Sequence, residues 1–403
     1  MEVLFVAADL PWPPDGGGKI ATLRVLEAFA RGRTVDLVAL ADPIAPQELQ
    51  PLESICRSIT AVPHPFTFGR HRVRQLSVAA RAAFSAQPYR LEKFKSAPLA
   101  SVIASKLAAG RYDLIHFDQL GVASYHDGRY PTTFAAQNVE SSMYDLGAKN
   151  ARGRLLRGWA RLEALKLRRA ERSLYRRFGQ VFAMSRADGA LLERLGVSDP
   201  IVLPIPFDVD LGSGEPPPRP TVLSLGSMSW FGVEDGLLWF SEEVLPIIRR
   251  SVPDVRWTLV GPNAGSRIRQ LSDGDRVVIA GYLPSIEPVL AESRVCIVPI
   301  QVGGGVRIKL IEMFAKGRPA VATTVGAQGL QFQDGEGCFR RDDPKAFAAA
   351  VVSLLQDDEL WRRTVQAGGR WVLEHHNRDA MDGAVSLGIA NAQRRFENDV
   401  ANR

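Results

Sequence analysis

Cysteine is scarce in this chain of 403 residues: Cys56, Cys296 and Cys338 are widely separated, and one falls inside an apolar run. Neither a disulfide framework nor a zinc site is indicated, which fits a reducing compartment. No apolar run approaches the roughly 18 residues that would span a bilayer. The sequence starts directly on a strand-like run, Val3 to Ala8, with no basic leader or cleavage site, so the expectation is a cytoplasmic protein, peripheral at most at the inner membrane face. No clustered His, Asp or Cys ligands occur, so neither a metal nor a cofactor is expected. The glycine turn after the first strand is not G-x-G-x-x-G, and no acidic residue ends the second strand, which disfavours a nicotinamide enzyme. Nucleic acid is likewise disfavoured, because no reader motif or interleaved aromatic-basic strand is present.

What is there is the composition of a globular protein, 46% hydrophobic and 23% charged, too long for one ordinary core. Strand-like and helix-like runs alternate in both halves, which predicts an α/β protein with two doubly wound, Rossmann-like domains facing across a cleft. The expected division is 1–205, 206–377 and a last helix, 378–403, crossing back to the first domain. Residues 1–200 hold 28 Lys+Arg against 19 Asp+Glu, or +9, and the remainder 22 against 25, or −3. A basic first half suggests an anionic partner there, such as a membrane surface or a phosphorylated acceptor. Basic residues concentrate in 63–111, with Arg70, Arg72, Arg74, Arg81, Arg90, Lys93 and Lys95 among Phe66, Phe68, Leu76, Phe84 and Phe94. They recur in 149–177, which has 11 Lys+Arg and 2 acids.

The most informative stretch is Pro299 to Leu330. An apolar strand, Val295 to Pro299, runs into Gly303, Gly304, Gly305 and Val306, and then into a helix with Ile308, Leu310, Ile311, Phe314 and Ala315. Gly317 and Pro319 end that helix. Strand, glycine loop and helix N-terminus form the geometry that holds phosphate, because free N–H groups converge beside the positive end of the helix dipole. Arg307 and Lys309 are expected in the first turn, where cations are unfavourable unless an anion joins them. Glu312 lies further in, within reach of a sugar hydroxyl.

The run Gly303-Gly304-Gly305-Val306-Arg307-Ile308-Lys309-Leu310-Ile311-Glu312 resembles the "GGG-x-R-x-K-x-x-E" loop of GT-B glycosyltransferases, in particular of a subgroup of family 4. The resemblance implies a GT-B fold and a nucleotide-diphosphate sugar as co-substrate, UDP or GDP, with Glu312 on the donor ribose. Most of the family has a second glutamate eight residues earlier, where this chain has Gly304. Most also have an arginine and a lysine after the first strand of the second domain; Gly226 is followed here by Ser227, and Asp235 replaces the lysine. Arg307 and Lys309 would then supply the charge. By the same analogy Gly261 and Asn263 line the donor, and Tyr282 and Leu283 meet the nucleobase edge. Asp208-Val209-Asp210 spells the metal motif of a different glycosyltransferase fold and is read as chance at this hinge.

In the first half, Gly17 and Gly18 follow the first strand, where α/β sheets bind ligands, and the resemblance places this loop against diphosphate or acceptor. Asp118 ends a later strand, where the family often has a histidine, with His116 two residues earlier on the same strand face. Asp118, His116 and Glu140 are therefore the catalytic candidates; Asp118 could take a proton from an acceptor hydroxyl or cap the next helix. Glu140 belongs to Asn138-Val139-Glu140, which resembles the family's "HN-x-E" with Gln137 replacing the histidine, and is also a capping candidate. The implied activity is glycosyl transfer with retention to a carbohydrate, lipid-linked or small-molecule acceptor. A sugar-nucleotide epimerase or phosphorylase, or a non-catalytic sugar-nucleotide-binding partner, are the alternatives.

Overall fold

Runs such as Val3-Leu4-Phe5-Val6-Ala7 are apolar at every position rather than at every second one, as a strand covered on both faces requires. In the computed structural model, which describes all residues except 43–48, 65–77, 79, 80, 83, 84, 111, 152, 229, 230 and 403, these five side chains are fully buried. The chain forms two units, residues 1–205 with 378–403, and residues 206–377.

Unit 1 is built on seven strands: β1 (Glu2–Ala7), β2 (Thr34–Ala41), β3 (Ser58–Pro63), β4 (Leu114–Asp118), β5 (Thr132–Ala136), β6 (Gln180–Ala183) and β7 (Ile201–Val202). Their order is β3-β2-β1-β4-β5-β6-β7, and every pairing is parallel. The helices that matter below are α1 (Gly17–Ala30), α2 (Tyr89–Phe94), α3 (Glu140–Asn150), α4 (Arg154–Tyr175) and α5 (Arg186–Arg194). Ser185 opens α5 by accepting from the Asp188 N–H at 3.1 Å, the cap expected of Ser-x-x-Asp.

Unit 2 has six parallel strands: β8 (Thr221–Leu225), β9 (Arg256–Val260), β10 (Val277–Gly281), β11 (Val295–Val298), β12 (Ala320–Ala322) and β13 (Cys338–Arg340). They are ordered β10-β9-β8-β11-β12-β13. Helix α6 (Ile308–Ala315) follows β11, with Ile308, Leu310, Ile311, Met313, Phe314 and Ala315 all buried. Gly317 ends it at φ +62°, where a methyl group would also lie 2.8 Å from the Leu211 backbone.

The last helix, α7 (Arg378–Ala401), packs on unit 1 against α1, β5, β6 and β7. Glycine permits the close approach: a Cβ on Gly388 would stand 2.3 Å from the Phe182 ring. Of the basic stretch at 63–111, Arg70, Arg72, Arg74, Phe66, Phe68, Leu76 and Phe84 lie outside the described residues. Among the described residues, no helix is long and apolar enough to cross a membrane.

Candidate functional site

A parallel sheet whose strand order reverses sends the loops from the two strands at the reversal to opposite faces, leaving a crevice at their carboxyl ends. In unit 2 the reversal lies between β8 and β11, and in unit 1 between β1 and β4. The residues singled out from the sequence follow these strands and their neighbours.

In unit 2 the β8 and β9 loops touch through glycine. Gly226 and Gly261 have φ of +146° and +151°, and a Cβ on Gly261 would lie 1.8 Å from the Gly226 carbonyl oxygen. The contact is fixed by the Gly226 N–H donating to Val260 at 3.0 Å and the Met228 N–H to Pro262 at 3.1 Å. Ser227 sits on this turn, and Asn263 takes the left-handed conformation beyond it. After β10, Tyr282 is half exposed at 51%, while Leu283 packs on the core. A small cavity lined by Gly226, Met228, Val260, Val298 and Ile300 lies at the reversal.

The loop after β11 buries Gly303 and turns at Gly305, φ +77°. Val306 and Arg307 precede α6, so Arg307 stands at the N-cap, one position earlier than the sequence suggested, and only Lys309 is in the first turn. The helix start has neither a side-chain cap nor a first-turn acid. Arg307 spans two loops, donating from Nη1 to Gly304 O and from Nε to Val325 O, both at 3.3 Å. Burial lowers its pKa to about 10, leaving it cationic at neutral pH. Lys309 Nζ meets Glu312 Oε2 at 2.9 Å, with side chains 26% and 17% exposed.

Sequence reasoning missed the wall formed by the loop after β12. Thr323 Oγ1 donates to Ile300 O and accepts from the Gly326 N–H at 2.8 Å, and a Cβ on Gly326 would lie 2.1 Å from Val298 O. The signal was present as Thr-Thr-Val-Gly directly after a strand. Chemically, two cations and an uncapped helix start suit a polyanion, while the Glu312 carboxylate suits a hydroxyl donor.

In unit 1 the β1–α1 turn brings Gly16 to the N-cap and Gly17 to the first helical position. Gly18 packs closely on Gln137, and a Cβ there would approach Gln137 Oε1 to 3.2 Å. The other end of that amide reaches inward: Gln137 Nε2 donates to Thr22 Oγ1 at 2.6 Å and to the Asp118 carboxylate at 3.1 and 3.2 Å. Thr22 also donates to Asp118. Asp118 is thus not the open, cleft-facing carboxylate that the sequence suggested: it is fully buried behind Gln137, tying β4 to α1 and to the end of β5. Burial raises its pKa to about 7, against the pull of the two donors.

His116 requires a larger correction. It is fully buried, with ring centroids 4.3 Å from Phe29 and 4.6 Å from Phe5, and its Nδ1 lies 2.8 Å from Thr133 Oγ1. Burial lowers its pKa to about 3, so it is a neutral core imidazole that cannot reach a substrate. Alternation along β4 does put it two residues from Asp118, but that face of the strand is covered by α1. Glu140, the first residue of α3, is 8% exposed and pairs with Arg90 Nη2 at 2.7 Å. That ion pair, rather than open space, is where its carboxylate points. Asp210 accepts from the Gly212 N–H at 3.0 Å, so that carboxylate serves a local turn. Among the described residues no three His, Cys, Asp or Glu side chains converge as a metal site would need.

Residues 219–357, which include the whole β8-to-β13 sheet, match the family model described as "Glycosyl transferases group 1". A Klebsiella pneumoniae protein described as an uncharacterized 44.6 kDa protein in the cps region is 22% identical over 380 residues, 88% of this chain and 91% of its own length. Anabaena HepE, solved with UDP and glucose, superposes with a TM-score of 0.63 at 14% identity, over 97% of this chain and 99% of its own. A variant of S. aureus TarM, solved with fondaparinux, α-GlcNAc-glycerol and UDP, gives a TM-score of 0.68 at 10% identity over 96% and 100%. WaaG, described as a glycosyltransferase involved in lipopolysaccharide biosynthesis, gives 0.64 at 13% identity over 96% and 99%. The chain therefore has the GT-B fold, and residues 219–357 of its second unit match the group 1 glycosyltransferase model.

Proposed function

We propose that the protein transfers a sugar from a nucleoside-diphosphate sugar, with retained anomeric configuration, to a carbohydrate, lipid-linked or small-molecule acceptor held by unit 1. The observation that carries this reading is the grouping of Arg307, Lys309 and Glu312 around a glycine loop and an uncapped helix start, inside the segment that matches the group 1 glycosyltransferases. The loop and its cations would hold the diphosphate, Glu312 the ribose, and Tyr282 with Leu283 the base. Transfer is then driven by stabilising the charge that develops on the leaving diphosphate. UDP is the first nucleotide to test, because HepE and the TarM variant were solved with it.

The deciding experiment is a thermal-shift panel of nucleoside diphosphates and their sugars, followed by product analysis with and without candidate acceptors. A ligand at a hundredfold excess over its Kd adds about 2.7 kcal/mol of stability. A shift with one nucleotide and product formed only when acceptor is present is expected. A changed nucleotide sugar released without acceptor would instead establish an epimerase, and binding with no turnover a sugar-nucleotide-binding partner.

Because Arg307 and Lys309 supply positive charge, turnover is expected to survive chelation. Initial rates in EDTA should match those without it. Complete loss in EDTA with recovery on adding manganese would overturn that expectation and return Asp208 and Asp210 to consideration.

A further inference from the structure

Unit 1 carries a cavity away from the carboxyl ends of its strands. Thr132, the first residue of β5, and Gly179, just before β6, both line it, so it lies at the amino end of the sheet. The glycine turn and Gln137 lie at the other end, beyond β1 and β5. The cavity measures about 270 Å³, against about 30 Å³ for the one at the strand reversal of unit 2. An isolated water needs roughly 10–15 Å³ on this measure, so the space admits a small molecule. Its walls come from three parts of the chain. A Cβ on Gly179 would lie 2.8 Å from Ala392 Cα, so α7 is seated closely against the sheet at that point. Ala392, Arg395, Phe396 and Asp399 follow at intervals of three and four, one face of α7, and all four line the cavity. The connection from β4 to β5 adds His126, Asp127 and Tyr130, and Arg177 enters from just after α4.

Among the described residues, neither Arg177 nor Arg395 has an ion-pair partner; Arg395 Nη2 donates to the Arg176 carbonyl at 3.1 Å. Asp127 does not neutralise them, because it accepts from Arg129 Nε at 2.6 Å. His126 is 9% exposed, with Nε2 3.1 Å from Thr132 Oγ1, and its Nδ1 is left without a partner. Burial, and then the charge of Arg177, lower the His126 pKa, against the pull of Asp127, so the ring is neutral. Two unpaired guanidinium forks on one space suit a phosphate, whose oxygens they hold bidentately. The Asp399 carboxylate, also without an ion-pair partner among the described residues, suits a hydroxyl donor. Tyr130 and Phe396, both half-buried, give apolar walls against which a sugar ring can lie. We infer that this cavity is a second ligand site for a phosphorylated monosaccharide, with Arg177 and Arg395 on the phosphate, Asp399 on hydroxyls, and Tyr130 and Phe396 against the sugar. This inference is independent of the proposed activity, since it uses neither the donor loop nor the acceptor.

The test is calorimetry of the full chain with glucose 6-phosphate, inorganic phosphate and glucose. Glucose 6-phosphate is expected to bind at least about tenfold more tightly than inorganic phosphate, and glucose to give no measurable heat. The double variant Arg177→Ala, Arg395→Ala should keep its circular dichroism, because both side chains are exposed, and bind glucose 6-phosphate at least about tenfold more weakly. Phe396→Ala should lose the advantage of the sugar phosphate and keep the affinity for inorganic phosphate. Arg307→Ala with Lys309→Ala should bind glucose 6-phosphate as the wild type does, and the Arg177, Arg395 variant should respond to UDP as the wild type does. Absence of heat with both phosphates, or unchanged binding in the folded Arg177, Arg395 variant, would overturn the site. Loss of binding confined to the Arg307, Lys309 variant would overturn it as well, because the sugar phosphate would then occupy the donor loop. Equal affinity of the wild type for inorganic phosphate and glucose 6-phosphate would overturn the carbohydrate assignment.

Discussion

Replacing Asp118 by alanine is expected to destabilise unit 1 by roughly 2–5 kcal/mol, because it strips an acceptor from two buried donors, Thr22 Oγ1 and Gln137 Nε2. Asp118→Asn keeps the shape and removes the charge, so it should be far milder, and its effect should depend on pH. Burial raises the folded pKa of Asp118 from its ordinary value of 3.8 to about 7. A raised pKa contributes stability that is fully present below the unfolded value, near pH 4, and is lost as pH rises through about 7. The asparagine variant lacks that dependence and should gain on the wild type across this window, by up to the order of 4 kcal/mol, and level off above it. Urea denaturation of the two proteins across the window tests this; a gap that stays constant with pH would mean that Asp118 is not a buried, proton-binding link. The same variants separate positioning from proton transfer. As a positioning residue, Asp118 acts through Gln137 and the glycine turn, and Asp118→Asn should hold turnover within about tenfold. A loss of about 10²–10⁴-fold with the fold intact would restore the acid–base role that the sequence suggested.

The second large effect is expected at the donor loop. Arg307→Ala and Lys309→Ala should each weaken nucleoside-diphosphate binding by about 1.5–3 kcal/mol, the worth of a charge-assisted hydrogen bond. Arg307 carries a further consequence, since it joins Gly304 O to Val325 O, and its loss loosens two loops at once. Glu312→Gln should behave differently. Its carboxylate partners Lys309, so neutralising it leaves Lys309 free to serve an anion. Calorimetry with inorganic diphosphate and with UDP distinguishes the roles: the glutamine variant should bind diphosphate as well as or better than the wild type, and UDP more weakly. Unchanged affinity for UDP in both cation variants would remove the phosphate assignment from this loop.

Fold class and the local geometry of the glycine loop were legible in the sequence because both rest on local rules. Short apolar runs bounded by glycine and proline read as strands covered on both faces, and strand, glycines, helix start and Gly317 follow one another within about thirty residues. Residues 303–312 therefore showed a glycine loop running into a helix start before any tertiary contact was known, with an error of one position at Arg307. The catalytic candidates of unit 1 were not legible. Asp118 and His116 share a strand, and a strand's alternation says that they share a face without saying what covers it. The covering is supplied by α1, nearly a hundred residues away in sequence, through Thr22 and Phe29, and by Gln137 beyond the next strand. Helix α4 teaches the same lesson in reverse. Its sequence, 11 Lys+Arg against 2 acids over 149–177, suggested an anionic partner and did not say which face would be buried. Which face was decided by contacts distant in sequence: Leu167 and Tyr175 enter the core, and Glu163, Lys166 and Glu171 turn inward with them to the Tyr89 N–H, the Ala82 carbonyl and the Ser141 N–H, since a buried charge must find its partner wherever the chain brings one.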